Sequence, residues 1–259
     1  MNVRRGSVVV GYLDNGMWSA CFGLSYRDLI LFDAMTSKRI VRAGGKELRA
    51  ITGSGHLPDS RNDVSRWFLD ETDGEWLFFV DTDMGFPRDA VEMLVQSADP
   101  VERPVVGALC FAARRGPMIS TYQDMYTVHP TMYAKRTDGD GVGFRPHEMY
   151  PIDALVPVDG TGAAALLIHR TTLEAVREKY GNHHFTRIGT EDGEGFYSED
   201  LSFCIRLAEL SIPLFVNTSV KTSHHKGLVY LEEGMWLANE GLTREGVKPG
   251  ELPRSIRGS

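Results

Sequence analysis

From Ser7 to Phe111 the chain alternates short apolar runs with stretches whose apolar residues recur at helical spacing. Ser7 to Leu13 (SVVVGYL) reads as a buried strand, closed by the turn signal Asp14-Asn15-Gly16. Trp18 to Ala34 carries Phe22, Leu24, Leu29, Ile30 and Phe32 and is compatible with a helix. A second short strand is expected at Arg39 to Ala43, closed by Gly44-Gly45. A helix follows from Asp59 to Leu69, with Val64, Trp67 and Phe68 on one face. Trp76 to Val80 is the third strand. Pro87 is placed to open a helix through Val95, because its missing N–H costs nothing in a first turn. Pro104 to Phe111 supplies a fourth strand.

The pattern then changes. Arg114 to Pro151 is rich in Tyr, Met, Pro and Gly, with a hairpin-type turn at Thr137-Asp138-Gly139-Asp140-Gly141. Asp159 to His169 (DGTGAAALLIH) reads as one Gly/Ala strand and Thr171 to Tyr180 as a helix. Ser198 to Leu210 is a better-marked helix, with Leu201, Cys204, Ile205 and Ala208 at i, i+3, i+4 and i+7. A strand at Pro213 to Val216 precedes the segment VKTSHHKG, and residues 231–259 read as an appended tail or lid. Strand–helix alternation predicts an α/β fold with a mostly parallel central sheet flanked by helices, whose ligands sit beyond the carboxyl ends of the strands.

Composition narrows the function. A formal net charge of −7 argues against a nucleic acid held mainly through its phosphates, although a phosphate-bearing small molecule remains open if a divalent cation supplies positive charge. Cys21, Cys110 and Cys204 lie far apart without a CxxC pairing, which fits a reducing compartment. No run approaches the ~18 apolar residues of a membrane span. The expectation is a soluble, cytoplasmic protein; its oligomeric state is open.

Four groupings carry candidate chemistry. The strand Trp76-Leu77-Phe78-Phe79-Val80 runs into Asp81-Thr82-Asp83. In extended chain residues i and i+2 point to one side, so the two carboxylates are expected to project together. They are either solvated turn residues or hard oxygen ligands for Mg²⁺ or Mn²⁺. Ser198-Glu199-Asp200 opens a helix, which the helix dipole alone would explain, or it places an ionised carboxylate to accept a proton from a substrate hydroxyl. Ser223-His224-His225-Lys226-Gly227 offers one imidazole ligand at most, since adjacent histidines do not easily share a metal. Arg61-Asn62 is suited to a pyrophosphate or base contact, or to a plain surface salt bridge.

Taken in order, these segments resemble the GT-A class of nucleotide-sugar-dependent glycosyltransferases, family-2-like members in particular. The resemblance rests on VVVGYLD, Arg61-Asn62, LFFVDTDMGFPRDAVEML, VDGTGAAALLIHR, YSEDLSFCIRLAELSIPLFV and a final H-x-G, spanning residues 7 to 230. It implies one catalytic domain over 1–230, with a nucleotide-binding half (7–113) and a smaller acceptor-binding half (114–230). The donor would be a UDP- or GDP-linked sugar and the acceptor a protein, a glycan or a small molecule. Asp81 would contact ribose or metal, and Asp83 and His225 would hold Mn²⁺ or Mg²⁺, with His224 in reserve. Asp200 would be the general base of an inverting reaction and Glu199 would position a substrate. Asp14 with the segment from Gly11, Arg61 and Asn62 would hold the nucleotide, and Gly160 and Gly162 would let backbone approach the sugar.

The second strand ends Arg42-Ala43-Gly44-Gly45, where many members carry an acidic residue, so the resemblance leaves the nucleotide open. Rival readings use the same residues. A haloacid-dehalogenase-type phosphatase would make Asp81 the nucleophile and Asp83 the acid/base, although its motif normally sits on the first strand. A sugar-1-phosphate nucleotidyltransferase would need a Gly-rich loop near the N-terminus that this chain lacks. A non-catalytic sugar-nucleotide or glycan binder would have no use for Glu199-Asp200.

Overall fold

The computed structural model describes residues 4–14, 16–42, 49–51, 57–115, 126–136, 143–190, 193–226 and 229–256. The first half of the chain contains β1 (Arg4–Asp14), α1 (Ala20–Met35), β2 (Ile40–Arg42), β3 (Arg49–Ile51), α2 (Leu57–Glu71), β4 (Gly74–Asp81), β5 (Met84–Gly85), α3 (Ala90–Ser97), β6 (Val105–Leu109) and β7 (Phe111–Arg115). After it come β8 (Tyr126–Pro130), β9 (Met132–Arg136), β10 (Gly143–Pro146), β11 (Leu155–Pro157), β12 (Gly160–Thr161), β13 (Ala165–His169) and α4 (Arg170–Tyr180). The chain continues through α5 (Glu199–Glu209), β14 (Leu214–Lys221), β15 (Ser223–Lys226), β16 (Val229–Leu231) and α6 (Glu233–Glu240).

The central sheet has the order β11-β14-β6-β13-β4-β1-β2, with β3 also pairing β1 beyond β2. Neighbours β2, β3 and β4 run parallel to β1, and β14 runs parallel to β6; β13 is antiparallel to both β4 and β6, and β11 to β14. The α/β, mostly parallel sheet expected from the sequence is therefore present, with smaller sheets attached.

Strand residues alternate between two cores, as a period of two requires. Val9, Leu77, Phe79, Leu166 and Ile168 pack with Val64 and Phe68 of α2, Leu173 of α4 and Phe203 and Leu207 of α5. Val8, Val10, Phe78, Val80 and Leu167 pack on the opposite face with Phe22 and Leu29 of α1 and Val91 and Leu94 of α3. Helices on both faces bury β4 from Trp76 to Val80, which is why it reads as a continuous apolar run.

Several local expectations change. The strand expected from Asp159 to His169 is two strands: β12 pairs β9 in a small sheet, and β13 enters the central sheet. Gly162-Ala163-Ala164 make the passage between them. Pro104 to Phe111 breaks at Cys110, where the chain leaves β6 for the β7–β8 ribbon. Pro87 precedes α3 rather than opening it; its carbonyl accepts from Ala90 N at 3.0 Å, and Asp89 is the cap residue. The Thr137–Gly141 turn lies outside the described residues, but its flanks β9 and β10 pair antiparallel. Where an appended tail is expected, Leu231 and Trp236 are buried in a third core with Leu109, Phe111, Met132 and Tyr150.

Candidate functional site

β4 delivers Asp81 to the carboxyl end of the sheet, and because β13 is antiparallel its entry, Gly162 to Ala164, arrives at the same end. Asp81 N donates to the Ala164 carbonyl at 3.0 Å. α5 begins there too. Ser198 caps it, its hydroxyl accepting from Leu201 N at 3.3 Å, so that Glu199 and Asp200 sit in the first turn, where the helix dipole favours carboxylates. The three strand and helix ends enclose a cavity of about 200 Å³ whose lining includes Arg61, Asp81, Cys110, Tyr133, Gly162, Ser198, Glu199, Asp200 and His224.

Arg61 is the hub. It projects from α2, is 2 % exposed, and its guanidinium lies 5.6 Å from the Phe79 ring and 5.9 Å from the Phe185 ring. Its Nη2 reaches both Asp81 oxygens at 3.2 Å and its Nη1 donates to the Ala163 carbonyl at 3.3 Å. Its Nε lies 3.7 Å from Glu199 and 3.6 Å from Asp200, too far for a hydrogen bond. Burial alone would lower the guanidinium's pKa, but Asp81, Asp200 and Glu199 more than offset this and raise it, so it stays charged.

Three carboxylates around one cation leave an excess of negative charge, and Asp200 carries the consequence. Burial first, then the neighbouring charges of Glu199 and Asp81, push it up to about 7 against the opposing pull of Arg61 and the Ala163 N–H. Its Oδ1 is buried without a hydrogen-bond partner among the described residues. A carboxylate poised near neutrality on the wall of a cavity is suited to take a proton from a bound hydroxyl.

Asp81 and Asp83 take different partners, Arg61 and His224. The strand ends at Asp81, Thr82 and Asp83 form a turn, and the period of two stops there. Asp83 instead meets His224, whose Nε2 lies 3.2 Å from Asp83 Oδ2. The other nitrogen, Nδ1, lies 3.1 Å from the Phe111 carbonyl oxygen, which can only accept, so Nδ1 carries the proton. Nε2 of His224 and an Asp83 carboxylate oxygen thus face one another, an arrangement that a cation between them would suit. His225, the histidine expected to bind metal, turns away: its ring stacks on Tyr230 at 4.8 Å, while its backbone N–H donates to the Asp83 carbonyl. Gly227 lies outside the described residues.

The remaining expected residues serve other contacts. Asp14 is buried at the end of β1, its Oδ1 accepting from Gly16 N at 2.7 Å. Asn62 ties down the loop after α4, donating to Thr186 Oγ1 and accepting from Phe185 N. Gly162 lines the cavity beside Asp200, but Gly160 makes room for protein: a Cβ there would lie 2.9 Å from Leu201 and 3.0 Å from Phe144. Cys110 and Tyr133 line the cavity without having been singled out by sequence. Burial pushes the Cys110 thiol up to about 12, so it packs and does not attack.

Among the described residues no group of three or more His, Cys, Asp or Glu is arranged to hold a metal, and no helix is long and apolar enough to cross a membrane. No family model and no curated protein matches the sequence. Among solved structures, A197 from STIV aligns with 97 % of this chain and 95 % of its own at 15 % identity, with a TM-score of 0.49. S. aureus TarS 1-349 aligns with 86 % of this chain at 12 % identity, with a TM-score of 0.38; this chain spans 59 % of it.

Proposed function

We propose that this protein is a GT-A-type glycosyltransferase that moves a sugar from a nucleoside diphosphate to an acceptor hydroxyl with inversion, Asp200 acting as general base. One observation carries the reading: a carboxylate held near neutrality opens into the same cavity as Asp81 and His224, at the carboxyl end of the central sheet. In the reaction the acceptor O–H gives its proton to Asp200 as the oxygen attacks the anomeric carbon, and the bond from that carbon to the diphosphate oxygen breaks. Glu199 and Asp81 hold Arg61 in place, and Arg61 orients the Asp200 carboxylate without becoming a nucleotide ligand.

The Asp83–His224 pair suits Mn²⁺ or Mg²⁺, since one carboxylate and one imidazole with its second nitrogen anchored leave positions for phosphate oxygens and water. Bound there, the cation would neutralise charge on the departing diphosphate. The phosphatase reading loses ground because both oxygens of its would-be nucleophile, Asp81, face the Arg61 guanidinium.

The test is thermal stability with UDP, GDP and their sugar conjugates, with and without Mn²⁺. A ligand of the folded state raises the melting temperature by mass action. The expected result is a Mn²⁺-dependent shift with one nucleotide, lost in Asp83→Ala and His224→Ala and kept in His225→Ala. If no nucleotide shifts the wild type, the transferase reading is wrong.

A further inference from the structure

The acceptor side of the cavity has a character of its own. In the β9–β10 ladder Lys135 faces Phe144 and Tyr133 faces Pro146, so Tyr133 and Phe144 lie diagonally on one side of the ribbon. Tyr133 also pairs with Gly160 of β12, and it is the missing Cβ of Gly160 that lets the Phe144 ring settle beside Leu201, the residue after Asp200. Tyr197, three residues before Asp200, meets Phe144 edge-on, with centroids 6.1 Å apart and planes at 83°. All three rings are half-buried, each leaving part of its surface to solvent. Of the three, Tyr133 lines the cavity, together with Ser198, Glu199, Asp200 and Leu201, and Phe144 and Tyr197 extend the aromatic surface away from it.

The charge of the lining is equally selective. Among the described residues its one guanidinium, Arg61, is buried among three carboxylates and has no charge to spare for an acidic acceptor. An anion entering beside Glu199 and Asp200 would meet like charge in a poorly solvated space. What fits is a neutral molecule with an apolar face for the rings and hydroxyls for the carboxylates. A pyranose has both: a patch of axial C–H groups on one face and a rim of hydroxyls. Aromatic rings, rigid and amphipathic, suit such a face at low entropic cost.

Resting on the transferase reading above, we propose that the acceptor is a neutral carbohydrate whose ring stacks on Tyr133, at the edge of the Phe144–Tyr197 aromatic cluster, presenting its hydroxyl to Asp200. The experiment separates this from the reading beneath it. Nucleotide release from the donor in buffer alone reports the donor reaction, with water as acceptor. Release is then measured with neutral oligosaccharides, with sialylated or uronic-acid oligosaccharides, and with serine- and threonine-containing peptides.

The expected result is acceleration by a neutral oligosaccharide only. Saturation-transfer NMR should place the strongest contacts on the C–H protons of one ring face. Tyr133→Leu should raise KM for that sugar by roughly five- to tenfold, the scale of an aromatic contact. Tyr133→Phe should hold it near the wild-type value. The melting temperature of each variant identifies loss through misfolding. Release in buffer that only peptides or acidic glycans accelerate would overturn the carbohydrate assignment and leave the transferase standing. Equal KM values for the Leu and Phe variants would overturn the stacking on Tyr133. No release under any condition would remove both.

Discussion

Around Arg61 three carboxylates, Asp81, Glu199 and Asp200, share one guanidinium; around Glu233 two carboxylates face two cations. In the second cluster Lys221 lies 3.0 Å from Asp153 and 3.4 Å from Glu233, and Arg244 lies 2.8 Å from Asp153 and 3.0 Å from Glu233. Tyr150 adds a hydroxyl to Glu233 at 3.2 Å. That ring is charge-balanced, with Arg244 Nε alone of its polar atoms lacking a hydrogen bond among the described residues, and it ties α6 to β14 and to the loop before β11. The Arg61 cluster is short of cations by two and, among the described residues, leaves Asp200 Oδ1 as well as Arg61 Nε without hydrogen bonds; both clusters border a cavity, so charge balance and not access separates them. Excess negative charge is what suits the Arg61 cluster to the general-base role proposed above.

Removing the hub should have the largest effect. Arg61→Met leaves three carboxylates facing one another in a poorly solvated space, and urea unfolding should show a loss of about 3–5 kcal/mol, the scale of breaking a buried pair. Adding Asp200→Asn should recover part of that loss. An Arg61→Met protein as stable as the wild type would erase the contrast between the clusters.

Asp200→Asn alone should slow transfer by roughly 10²- to 10⁴-fold, the contribution of a positioned general base. The sign of its stability effect follows from linkage. Asp200 binds its proton more tightly folded than unfolded, with a pKa of about 7 against an ordinary 3.8. The stability from this group is therefore full below the unfolded value and is lost as pH rises through about 7. Wild-type stability should fall across that window while transfer climbs with an inflection near 7, and Asp200→Asn should flatten the fall. A stability profile unchanged by the substitution would show that Asp200 is ionised throughout.

The smallest effect is expected on the balanced side. Glu233→Gln weakens two ion pairs and the Tyr150 contact, and should lower stability by about 1–3 kcal/mol without altering KM for the donor. A large change in donor KM would mean that the two clusters communicate.

Legibility followed the range of the interactions. β4 was readable because five consecutive apolar residues are buried on both faces, and the start of α5 because Ser198 and the acidic first turn are local signals; its face was misread, since Phe203, Cys204 and Leu207 enter the core while Ala208 is exposed. Trp236 was not readable: nothing near it in sequence announces that Tyr150 stacks on it at 4.7 Å. The two histidines show the limit most plainly. His224 and His225 are adjacent in an extended strand, so one must point opposite to the other, but their order alone does not say which faces Asp83.

By itself the sequence determined the alternating elements, the acidic end of β4 and the acidic opening of α5, because hydrophobic period, caps and turn residues act within a few positions. Only the tertiary structure decided that Arg61 is a buried hub shared by Asp81, Glu199 and Asp200, that His224 is the histidine on Asp83, and that Gly160 yields its space to Phe144. Those outcomes depend on which strand neighbours which and in what direction. Antiparallel β13 beside β4 brings residues some 80 positions apart into one cavity, and the energies of burial and charge that govern the site exist only once that pairing is made.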